Sequence, residues 1–232
     1  MRIGMFDSGI GGLTVLKSFL KHHPNNEYIY YGDTLNMPYG DKTKGELLEK
    51  SKKIIEFLQS KNVDIIVIAC GTVSSNIYNE LKEFCKVPIY NIISEVKDYI
   101  LKREYKKVLV MATSATVSTH VFKNMNQEII NEVACPKLVP LIENNKLDLL
   151  DEVLDEYIDK KEDYDAIILG CTHYSIIKEK IKNKMNSNIE IIELGEIVAK
   201  NIKLKESNKN LELYFSKEMP NLSDNINKIL LL

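Results

Sequence analysis

Residues 63–72 read Val63-Asp64-Ile65-Ile66-Val67-Ile68-Ala69-Cys70-Gly71-Thr72. The aliphatic run is short, branched and apolar at every position. That is the pattern of a parallel strand covered on both faces, where period-two alternation is lost. It stops abruptly on small and polar residues. A second stretch resembles it: Tyr164-Asp165-Ala166-Ile167-Ile168-Leu169-Gly170-Cys171-Thr172. Each has an acid, an apolar strand, a small residue, a cysteine and a threonine. The repetition predicts two similar α/β halves, each offering a thiol at the carboxyl end of a strand.

Working outward, Ile3–Phe6, Tyr28–Tyr31, Pro88–Ile92 and Val108–Met111 read as further buried strands. Amphipathic stretches lie between them. Leu47, Leu48, Ser51, Ile54, Ile55 and Leu58 fall at helical spacing, with Glu and Lys on the other positions. Strand-helix-strand order of this kind implies parallel sheets with right-handed crossovers. The polar Lys205–Asn210 segment reads as a surface loop.

Several strands end directly in small polar residues: Asp7-Ser8-Gly9, Gly32-Asp33-Thr34, Cys70-Gly71-Thr72, Thr113-Ser114-Ala115-Thr116 and Gly170-Cys171-Thr172-His173. Carboxyl ends of parallel strands line the ligand crevice of α/β sheets. These five segments are therefore expected to share one site.

The bulk properties exclude other classes. The 232 residues are 44% hydrophobic and 28% charged with a net charge of −2, so no basic field invites nucleic acid or an anionic membrane. No apolar run approaches the roughly 18 residues of a membrane helix. The N-terminal stretch reaches Asp7 too early for a secretory leader, which predicts a cytoplasmic protein. In that compartment Cys70, Cys85, Cys135 and Cys171 are expected to be free thiols. Their spacing fits no zinc pattern, so no metal is expected. Cys85 and Cys135 read as small core residues.

A thiol at a strand end that opens a helix meets backbone N–H groups that favour the thiolate. Racemisation at a carbon needs such a base and, across the substrate, a neutral acid. The hydroxyls of Ser8, Thr72, Thr113, Thr116 and Thr172 suit carboxylate and ammonium groups. Other chemistries fit less well. Gly9-Ile10-Gly11-Gly12 is not a dinucleotide fingerprint and reads as a tight turn, and no Walker motif occurs. Cys171 and His173 are too near in sequence for the usual hydrolase dyad. No lysine stands out as a pyridoxal anchor.

These residues together resemble the glutamate racemases of the aspartate/glutamate racemase superfamily, along nearly the whole chain. The carriers are Asp7-Ser8-Gly9-Ile10-Gly11-Gly12, Gly32-Asp33-Thr34 with Pro38-Tyr39-Gly40, Ala69-Cys70-Gly71-Thr72, Ala112-Thr113 through Thr116-Val117, Ala134-Cys135-Pro136 with Val139-Pro140-Leu141-Ile142-Glu143, and Leu169-Gly170-Cys171-Thr172-His173-Tyr174. The resemblance implies two α/β domains, residues 1–93 plus 200–232 and residues 94–199, with the active site in the cleft between them. It implies interconversion of L- and D-glutamate without a cofactor, feeding peptidoglycan synthesis, in a homodimer. Cys70 would deprotonate the D-enantiomer and Cys171 the L-enantiomer. Asp7, Glu143 and His173 would assist proton transfer. Ser8, Pro38, Tyr39, Gly40, Gly71, Thr72, Thr113, Thr116 and Thr172 would hold substrate. A racemase of aspartate, or a binding module that kept only the fold, are the alternatives. One departure stands out: the family usually has Asn where this chain has Gly71. Either a neighbour such as Ser74 or Ser75 replaces that contact, or water does, or substrate preference differs, and Gly71→Asn is expected to preserve or improve glutamate affinity.

Overall fold

A computed structural model describes residues 1–159, 162–185 and 189–231. Among these residues nine strands form two wholly parallel sheets. The first holds β1 (Arg2–Asp7), β2 (Glu27–Gly32), β3 (Ile65–Ile68), β4 (Ile89–Asn91) and β9 (Asn210–Phe215), in the order β4-β3-β1-β2-β9. The second holds β5 (Val108–Ala112), β6 (Ile130–Ala134), β7 (Ala166–Leu169) and β8 (Glu190–Glu193), in the order β6-β5-β7-β8. The architecture is thus the two similar α/β halves expected from the repeated pattern.

The halves correspond strand by strand. β3 pairs with β1 through Ile3 opposite Ile65, as β7 pairs with β5 through Val108 opposite Ala166. Cys70 and Cys171 therefore follow equivalent strands at equivalent places. β1, β3, β5 and β7 lie inside their sheets, and every residue of β3, β5 and β7 is buried. Burial on both faces is why these strands carry continuous apolar runs.

The helix Lys44–Ser60 shows how sequence sets an element. Thr43 caps it, accepting from the Glu46 N–H, while the Glu46 carboxylate accepts from the Thr43 N–H: a reciprocal capping box. Such a cap is worth about 1 kcal/mol. Leu47, Ser51, Ile54, Ile55 and Leu58 face inward as their spacing requires, whereas Leu48 is only partly buried.

One continuous core links the halves. It runs from Ile3, Met5 and Val67 of the first sheet through Leu13, Leu16 and Phe19 to Val108, Val110 and Ile168 of the second. The helices Leu13–His22 and Leu194–Asn201 cross within it, with Gly195 set against the backbone of Val15. Two predicted features differ. Residues 205–209 lack regular structure, but Asn210 already opens β9, which adds to the edge of β2. β6 and β8 were not expected from the sequence and form the edges of the second sheet. No described helix is long and apolar enough to cross a membrane.

Candidate active site

The carboxyl ends of both sheets meet at one narrow cleft. Ser8, Pro38, Tyr39, Gly40, Cys70, Gly71, Thr72, Thr113, Cys171, Thr172 and His173 line it. Its cavity is only about 20 Å³, room for one or two waters. A substrate the size of an amino acid needs more room than this cavity offers. Asp7, Glu143 and Thr116 stand directly behind the lining.

On one side is Cys70, at the start of the helix Gly71–Asn76. The helix start does favour its thiolate, through the Val73 amide, but burial outweighs that effect. Burial pushes the thiol well up and the nearby Asp7 charge adds to this. The Val73 amide and the Ser8 hydroxyl offset only part of it. Cys70 is held protonated because desolvation outweighs two hydrogen bonds. Asp7, at the end of β1, accepts from the Gly12 N–H at 2.9 Å and the Gly9 N–H at 3.3 Å. It thus organises the entry to the next helix as well as standing beside the cleft. Burial raises its carboxyl too, against the pull of His173 and the amides of Gly12, Gly9 and Ser8.

On the other side a chain of three groups runs inward. Cys171 Sγ lies 3.8 Å from His173 Nδ1, and His173 Nε2 lies 2.5 Å from Glu143 Oε1. Burial alone would push the imidazole down, but the Glu143 carboxylate and the Cys171 sulfur overcome it and raise His173 well above its ordinary value. The closeness in sequence of Cys171 and His173 does not prevent their contact, because a 3-10 turn over Thr172–Ile177 curls the histidine back. Glu143 is the last residue of the helix Leu138–Glu143, and it is buried. It also accepts from the Ile10 N–H at 3.4 Å, across the cleft. Gly11 lies so near that a Cβ there would stand 2.4 Å from His173 Nδ1. The glycine cluster is therefore both a turn and the seat of a histidine from the other half.

Hydroxyls join the two halves. Thr72 Oγ1 and Thr113 Oγ1 are 2.9 Å apart, and Thr113 Oγ1 and Thr116 Oγ1 are 3.0 Å apart. Asn76 Nδ2 donates to the Ala115 carbonyl at 3.1 Å. The residues expected to replace an asparagine at position 71 are engaged elsewhere. Ser74 Oγ donates to the Ile68 carbonyl, and Ser75 Oγ to the Thr72 carbonyl and Thr116 Oγ1.

The structure gives roles to residues that had none assigned from the sequence. Tyr39 Oη donates to Asp33 Oδ2 at 2.5 Å, and Asn36 Nδ2 and Ser216 Oγ also donate to Asp33. Asp33 thereby anchors the Pro38–Gly40 loop. Its place at a strand end was the available signal. Tyr30 Oη donates to the Gly9 carbonyl at 2.6 Å and braces the Asp7 loop. Cys135, expected as a core residue, is buried and also lines the cleft. Cys85 sits half-buried just after the helix Tyr78–Phe84, outside the lining of the cleft. His22 contacts Glu196 and His23 the Ala199 carbonyl, while exposed His120 contacts Glu132. Among the described residues no group of three His, Cys, Asp or Glu side chains is placed to hold a metal ion.

Two thiols at matched strand ends, one backed by a carboxyl and one by a histidine–carboxylate pair, form an arrangement for moving a proton at carbon. A family model described as Asp/Glu/hydantoin racemase matches residues 15–202. The chain belongs to that family. It is 36% identical to the glutamate racemase of Aquifex aeolicus over 99% of this chain and 94% of that one. The crystal structure of the Campylobacter jejuni glutamate racemase superposes with a TM-score of 0.90 at 30% identity, covering 100% of this chain and 99% of the other. The Francisella tularensis glutamate racemase, solved in complex with D-glutamate, gives a TM-score of 0.87 at 27% identity, covering 100% and 94%. As a racemase-family member the chain is an isomerase.

Proposed function

We propose that this racemase interconverts L- and D-glutamate without a cofactor, using Cys70 and Cys171 as its two proton-transferring groups. The observation that carries the reading is the equivalence of the two thiols: each follows the corresponding strand of its half, and both line one cleft. The name shared by the A. aeolicus, C. jejuni and F. tularensis proteins supports glutamate as substrate.

The chemistry follows from the environments of the thiols. One thiolate takes the α-hydrogen as a proton, and its electron pair stays on the substrate, delocalised into the α-carboxylate. The other thiol then gives its proton to the opposite face. Each turnover leaves the two sulfurs with exchanged protonation. Burial pushes the Cys70 thiol up, which suits it to act as the acid when Cys171 acts as base on the L-enantiomer. His173, oriented by Glu143, stabilises negative charge at Cys171 and Asp7 serves Cys70. General acid–base help contributes on the order of 10²–10⁴-fold per group. The rest comes from a closed, water-poor cleft and from polar groups that meet charge developing on the carboxylate. Ser8, Thr72, Thr113, Thr116 and Thr172, with the Pro38–Gly40 loop, hold the substrate's charged ends once the cross-cleft contacts open.

Within this reading the product D-glutamate serves peptidoglycan synthesis. The protein acts in the cytoplasm as a homodimer, and its domains are residues 1–93 with 200–232 and residues 94–199. Circular dichroism of L-Glu, D-Glu, L-Asp and D-Asp solutions, without added cofactor, is the test. Loss of optical activity from both glutamate enantiomers is expected. Turnover of aspartate alone would replace the substrate, a pyridoxal requirement would reject the mechanism, and no change with any of the four would reject the racemase reading.

A further inference from the structure

Gly71 directly follows Cys70, and Gly170 directly precedes Cys171. A Cβ placed on Gly71 would stand 2.2 Å from the Gly170 carbonyl oxygen and 3.3 Å from its carbonyl carbon. No glycine in the described chain has a positive φ, so backbone conformation does not demand glycine here. Helix propensity would favour alanine in the first turn of Gly71–Asn76. Space alone excludes a side chain, and the obstacle is backbone rather than the mobile end of a side chain.

Both sides of the contact are fixed. The Cys70 carbonyl accepts from the Ser74 N–H at 2.9 Å, and the Gly170 N–H donates to the Met111 carbonyl at 2.8 Å. The bonds from Thr72 to Thr113 and from Asn76 to Ala115 tie the end of β3 to the end of β5, the strand that pairs with β7. A displacement at residue 71 therefore passes straight to the thiols.

We infer that Gly71 is a positioning residue: having no side chain, it lets the Cys70 strand end seat on the Gly170 carbonyl, and this backbone contact sets how far the cleft closes and how near the two thiols come to one another. The inference rests on the two-thiol reading above. It reverses the expectation from sequence that Gly71→Asn would preserve or improve affinity, because asparagine cannot occupy this closed cleft. Relieving a 2.2 Å approach to ordinary contact moves the loops apart by roughly 1 Å for alanine and further for asparagine.

The test compares the full-length wild type with Gly71→Ala and Gly71→Asn. Steady-state racemisation of both glutamate enantiomers is measured beside thermal melting and the rate at which iodoacetamide labels Cys70 and Cys171, read by peptide mass spectrometry. A misplacement of about 1 Å costs on the order of 10²-fold in rate. The kcat of Gly71→Ala is expected to fall by that order and that of Gly71→Asn at least as far. KM moves much less, and both cysteines label faster than in the wild type. Gly71→Ala racemising at the wild-type rate, Gly71→Asn binding glutamate more tightly, or labelling that does not change would each overturn the inference. A Gly71→Ala chain that does not fold would assign the glycine to folding and overturn it as well. If the wild type does not racemise glutamate, the functional reading fails, while the labelling rates still report on the contact.

Discussion

His173 Nε2 and Glu143 Oε1 lie 2.5 Å apart in a fully buried contact, with the Cys171 sulfur on the other side of the ring. The carboxylate and the sulfur together hold the imidazole well above its ordinary value although burial opposes them. Glu143→Gln removes one of those charges and keeps the shape. The His173 titration is expected to move to lower pH, and kcat to fall about 10–100-fold, the usual cost of losing the group that orients a functional histidine. With only four histidines in the chain, NMR titration can follow the ring directly. An unmoved titration would detach Glu143 from the relay.

Cys70→Ser and Cys171→Ser are each expected to abolish steady racemisation, because a hydroxyl is far too weak an acid to replace either thiol. Steady turnover near the wild-type rate in either variant would exclude the two-base assignment.

The state of Cys70 can be read without substrate. Its thiol is pushed well above the ordinary value of 9.0 by burial. Only the thiolate is nucleophilic. Alkylation of Cys70 should therefore keep accelerating beyond about pH 10, where an exposed thiol of ordinary pKa has levelled off. A plateau at or below that pH would show that the thiol is not held protonated.

Asp7 bears on stability. Burial raises its carboxyl above the ordinary value of 3.8. An acid whose folded value is raised adds stability below the unfolded value and loses it as pH rises through the folded one. Ionised Asp7 thus costs stability at neutral pH. Asp7→Asn keeps an acceptor for the Gly9 and Gly12 amides and removes the charge. Its Tm should exceed that of the wild type near pH 7, by about 2–4 °C for each kcal/mol regained. The gap should shrink on acidification, and racemisation should fall in the same variant. A lower Tm at neutral pH would mean that the pull of His173 and the amides exceeds the cost of burial.

Tyr39→Phe removes a hydrogen bond to the Asp33 carboxylate, worth about 1.5–3 kcal/mol. Asp33 keeps Asn36 and Ser216, so the fold survives while the Pro38–Gly40 loop loosens. KM should rise and kcat change little. Urea unfolding with steady-state kinetics separates the two effects, and an unchanged KM would remove the loop from substrate binding.

What the sequence revealed follows the physics of burial. β1, β3, β5 and β7 lie inside their sheets, and their apolar runs announced them. The strands that went unseen are all edges. β6 reads Ile130-Asn131-Glu132-Val133-Ala134, β8 reads Glu190-Ile191-Ile192-Glu193 and β9 reads Asn210-Leu211-Glu212-Leu213-Tyr214-Phe215. An edge is half solvated, so polar residues break the run that marks a buried strand. The cleft shows the same division. Strand ends located Asp7, Cys70, Thr113 and Cys171, because position along a strand is local information. The seat of Gly71 on Gly170 and the burial of Glu143 depend on how the halves meet, and nothing within either segment encodes that.

The pairing of β9 with β2 has a practical consequence for handling the chain. All six residues of β2 have a partner in β9, from Glu27 opposite Asn210 to Gly32 opposite Phe215. A protein truncated before residue 210 would bare the N–H and C=O groups along one side of β2, beside Tyr28 and Tyr30. Such an edge is a template for other chains, so the shortened protein is expected to precipitate by strand-to-strand association rather than simply lose activity.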